Sequence, residues 1–64
     1  MTDRFSTPVD GVELSAEQIE GVWHVSFGSK VGQDEHIDLA VAKAMEAPPT
    51  VAMEVVKRLF PPGT

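Results

Sequence analysis

Apolar and polar positions change rhythm along the chain. Trp23, Val25 and Phe27 alternate with His24 and Ser26, the period of a strand with one face covered. Glycines at 21 and 28 bracket that run and supply turn conformations. Val12, Leu14 and Ala16 alternate in the same way with Glu13, Ser15 and Glu17. Joined through Glu20-Gly21, the two runs predict a β-hairpin or ribbon over about 12–28. The same stretch carries a competing signal. Ser15-Ala16-Glu17-Gln18 fits a capping box, and Ile19, Val22, Trp23 and Phe27 keep helical spacing. That alternative makes residues 15–27 one helix and the domain a three-helix bundle.

From residue 34 the period is helical. Ile37, Ala40, Val41, Ala44 and Met45 form one stripe, with Asp34 as the cap candidate and Glu35 and Asp38 in the first turn. Pro48 ends this helix, because the residue before a proline avoids the α region. Five alanines between 40 and 52 permit close approach to a neighbouring backbone. Pro48-Pro49-Thr50 makes a stiff elbow with Thr50 as the next cap. Ala52, Val55, Val56, Leu59 and Phe60 then define a second stripe, widened by Met53. Glu54 precedes Lys57 and Arg58 at helical spacing, the favourable order for such pairs. The expected fold is α+β: a hairpin, then two antiparallel helices over about 34–47 and 50–60. Residues 1–11 show no apolar period and read as a flexible arm ending in the Asp10-Gly11 turn. Residues 12–60 form one small domain, 29–33 a loop and 61–64 a tail.

Sixty-four residues leave room for one small domain and no walled active site. A core of this size rarely supplies more than about 3–5 kcal/mol without staples, and the chain has no cysteine. The apolar stripes exceed what one hairpin covers, which favours a homodimer or completion by a larger protein partner. The net charge of −5 is uneven: residues 1–38 hold eight acids against Arg4 and Lys30. No polybasic stripe supports nucleic-acid or membrane binding. Missing thiols, a missing apolar span and a missing leader pattern place the chain in the cytoplasm.

No catalytic constellation emerges. His24 and Ser26 share a strand face, but their spacing exceeds a hydrogen bond and no orienting third group is evident. Asp34-Glu35-His36-Ile37-Asp38 has metal-binding composition without metal-binding spacing. Gly28-Ser29-Lys30-Val31-Gly32 lacks the ending of a phosphate loop. No cofactor is expected, and the chain reads as a small acidic non-enzymatic interaction module: a regulator, an inhibitor or an accessory subunit. The candidate interface residues are Trp23, Phe27, Val41, Met45, Met53, Val56 and Phe60. Trp23 leads them, since tryptophan is enriched among binding hot spots.

The order strand, helix, short turn, helix from about Val22 to Phe60 also resembles the ribbon–helix–helix family of DNA-binding regulators and antitoxins. That resemblance implies a dimer whose paired strands enter the major groove. His24, Ser26 and Lys30 would then face bases, and the helix start at Thr50 would meet a phosphate. It covers somewhat over half the chain and is one of element order only. The strand face is poor in Arg and Lys, and the Gly28–Gln33 connection is long for that family.

Overall fold

A computed structural model describes residues 4–60. Four strands precede two helices: β1 (Arg4–Val9), β2 (Val12–Ile19), β3 (Val22–Phe27), β4 (Lys30–Asp34), α1 (Ile37–Met45) and α2 (Pro49–Leu59). The strands form one antiparallel sheet in sequence order, and both helices pack on the same side of it. The α+β expectation holds; the three-helix bundle does not.

Two-residue turns set the sheet's register. Asp10-Gly11 and Glu20-Gly21 both have positive φ at both positions (51° and 78°; 51° and 80°), the signature of type I′ turns. Their twist matches that of the flanking strands, so Val9 meets Val12 and Ile19 meets Val22. Gly28 opens the third turn at φ 62° and brings Phe27 opposite Lys30.

Two local expectations are corrected. Residues 4–9, read as part of a flexible arm, form the edge strand β1 on β2. Residues 30–33, read as loop, belong to β4. Met1–Asp3 and the expected tail at 61–64 lie outside the described residues.

Alternation divides the sheet's side chains. Phe5, Ala16, Val25 and Gly32 form one row facing the helices, and Thr7, Leu14, Phe27 and Lys30 form the next. The core unites Val9, Leu14, Ala16 and Val25 with Ala40, Val41 and Ala44 of α1 and Ala52, Val55 and Leu59 of α2. Several of these side chains are small, and they bring α1 close to the sheet. A methyl group at Gly32 would meet the Ala40 carbonyl oxygen, the Ala44 nitrogen at 2.6 Å and Lys43 Cβ at 2.9 Å. The alanine-rich helix thus packs on a strand backbone.

The helix ends differ from their expected caps. α1 starts at Ile37 with His36 as its N-cap. Asp34 ends β4 instead, and its Oδ1 accepts the His36 N–H at 3.0 Å. α1 closes on Glu46 in the left-handed region (φ 54°), whose N–H reaches the Ala42 and Lys43 carbonyls. α2 begins one residue before Thr50: Pro48 is its N-cap and Pro49 its first residue, where a missing N–H costs nothing.

Candidate functional site

The helices cover one face of the sheet and leave the other open. Strand alternation places two rows on the open face: Arg4, Glu17, His24 and Gln33, all polar, then Ser6, Ser15 and Ser26 with the exposed Val31. All of these except Ser6 line a shallow concavity of about 270 Å³. Ser15 is almost wholly covered there, although it lies on the open side. His24 stands between Glu17 and Gln33 in register, with Ser26 two residues along its own strand. Among the described residues no hydrogen bond joins His24 to Ser26, so the pair lacks the contact a nucleophile and its base require. Nor does any described group of three or more His, Asp or Glu side chains gather as a metal site.

The other face ends in a cluster of aromatic rings. The Phe5 and Phe60 rings lie 4.5 Å apart, Trp23 meets Phe60 edge-on at 6.1 Å, and Phe5 and Trp23 are 6.2 Å apart. Tilted and edge-to-face pairs at such distances are favourable arrangements for aromatic quadrupoles. Phe60 follows the last turn of α2 and remains 40% exposed. Strands β1 and β3 position the other two rings on the helix-facing side, at the end of the sheet where β1 starts.

This cluster gathers only part of the expected interface. Trp23 and Phe60 meet, and Phe5, absent from the sequence-derived set, completes the group. Phe27 lies on the same sheet face toward the opposite end and packs against the core. Val41 is at 0% exposure inside the core, with no surface for a partner. Met45 and Val56 are half-buried against the core, while Met53 is 44% exposed. The signal for Phe5 was the alternation of Phe5, Thr7 and Val9 ahead of a type I′ dipeptide.

Charge is concentrated at the β4–α1 flank. Lys43 Nζ donates to Asp34 Oδ2 at 2.8 Å and to the Gln33 carbonyl at 3.1 Å. Those contacts hold the Asp34 carboxyl below its ordinary pKa; the Lys43 hydrogen bond acts most and the His36 N–H next. Lys30 pairs with Glu46 at 3.0 Å, tying the start of β4 to the end of α1. Glu54 pairs with Lys57 at 3.7 Å, the order expected from spacing.

The residues that ribbon recognition would use are dispersed. His24 and Ser26 share the open face, whereas Lys30 has the opposite parity and is engaged by Glu46. β3 is hydrogen-bonded on both sides, to β2 and β4. No helix among the described residues is long and apolar enough to cross a membrane. No family model, no curated protein and no solved structure matches this chain.

Proposed function

We propose that the protein is a small acidic, non-enzymatic interaction module that acts in the cytoplasm as a regulator, inhibitor or accessory subunit. The reading rests on the aromatic cluster. Three rings meet at one end of the molecule, and Phe60 keeps 40% of its surface open. Rigid aromatic side chains lose little entropy on binding and dominate interface energetics. The net charge of −5 adds steering toward a basic surface.

Affinity capture with the intact chain tests this proposal. Wild type should retain a defined protein, and Phe60→Ala should release it while its circular dichroism stays that of the folded chain. Equal retention by Phe60→Ala would remove the aromatic end from the reading.

A further inference from the structure

Among the described residues the sheet has two unpaired edges, β1 and β4, and their backbone groups differ. Two-residue turns place the residues flanking each turn in hydrogen-bonded pairs, and such pairs alternate along a ladder. On β4, therefore, Lys30, Gly32 and Asp34 bond to β3, and the groups of Val31 and Gln33 point off the edge. Lys43 occupies the Gln33 carbonyl there at 3.1 Å, and a lysine over an edge blunts strand pairing. On β1, Phe5, Thr7 and Val9 bond to β2. The N–H and C=O of Arg4 and Ser6, and the C=O of Pro8, point off the edge.

We infer that β1 pairs antiparallel with β1 of a second copy about a twofold axis through Ser6, joining two sheets into one. In this register Ser6 exchanges both backbone bonds with its counterpart. Each Arg4 N–H donates to the Pro8 carbonyl of the other copy. Proline lacks only a donor, and that gap falls at the ends of the ladder, opposite the Arg4 carbonyl. Charge selects this register. Pro8 is paired with Glu13 on the open face, so Arg4 of one copy lies beyond Pro8 in the same row as Glu13 of the other. Their Cα atoms are about 10 Å apart, two strand spacings, within the joint reach of arginine and glutamate. Moving the register toward the N-terminus, so that Arg4 meets Ser6, keeps the backbone bonds but leaves Arg4 with its own Glu17 on one side and the second copy's Ser6 and Ser15, rather than an acid, on the other. Moving it the other way forfeits donors at Pro8. On the helix side, Phe5 comes opposite the second copy's Thr7, so the aromatic cluster of each copy borders the join. The inference deepens the interaction reading, on which it rests, by naming a second copy as the occupant of this edge.

Sedimentation equilibrium on the intact chain tests it. Wild type should be a dimer. Ser6→Pro deletes an outward N–H without touching the β1–β2 ladder, and should weaken association by roughly tenfold or more with unchanged circular dichroism. Arg4→Glu and Glu13→Arg should each weaken self-association to a similar degree, and an equimolar mixture of the two should recover the dimer, because each chain then meets its opposite charge. A wild type that stays monomeric up to about 1 mM overturns the inference. So does a dimer indifferent to Ser6→Pro, or a mixture that fails to recover. In any of those cases, loss of a captured protein from Phe60→Ala leaves the interaction reading standing.

Discussion

The β4–α1 flank and the β1–α2 flank close the same layer by opposite means. On the first, side chains are removed: Gly32 lets the backbone of α1 approach the strand, and Lys43 and Glu46 fasten the two with charge. On the second, side chains fill the space: Phe5, Trp23 and Phe60 wedge between strand and helix and stay partly open. Close backbone approach leaves no slack, so the first flank is the rigid one and tolerates little change. Bulky rings at an end leave surface to spare, so the second has something to offer a partner.

The largest effect should come from filling the tight flank. Gly32→Ala puts a methyl group against the Ala40 carbonyl and 2.6 Å from the Ala44 nitrogen, where only movement of α1 relieves the clash. Overpacking of this kind costs about 3 kcal/mol, most of the stability of so small a core. Thermal unfolding should show a collapsed transition midpoint, and an unchanged one would mean that α1 sits farther from β4. On the aromatic flank, Phe60→Ala should cost about 1.5 kcal/mol, since the ring is only partly covered. Urea titration measures that cost, and a ratio near one between the two variants would erase the contrast.

The charged latch gives a smaller effect with a sign set by pH. The Asp34 carboxyl is held low in the folded chain, chiefly by Lys43. Its contribution is therefore complete above the pKa of an unfolded aspartate and disappears as pH falls through the lower, folded value. Lys43→Met should flatten that acid limb of the stability curve, while Lys57→Met should not. The smallest effect belongs to the exposed Glu54–Lys57 pair. Glu54→Gln should change stability by less than about 0.5 kcal/mol, and by less still in high salt.

The same two flanks differ in how plainly the sequence announced them. The β2–β3 hairpin and both helices were legible because apolar residues mark their covered faces. β4 was not. Its helix-facing positions are Lys30, Gly32 and Asp34, so the strand shows no apolar alternation, and its decisive residue contributes by having no side chain. β1 was half-hidden: Phe5 and Val9 face the helices, but Thr7 between them and Pro8 beside them look like loop. The Asp10-Gly11 turn pointed to a hairpin partner for β2, and pairing with Val12–Ile19 turns a loose reading of residues 4–9 into a strand. The aromatic cluster could not be assembled without that strand. Trp23 was singled out for its type, yet its neighbours come from both ends of the chain.

That topology has a kinetic consequence. Every strand pairs with its neighbour in sequence through a two-residue turn, so three hairpins can form with little loop-closure cost, each in about 1–10 μs. The α2–β1 contact stands apart, since it joins the first described element to the last and closes nearly the whole chain. It should be the final contact to lock during folding and the first to open. The aromatic end is then the place where the molecule begins to breathe.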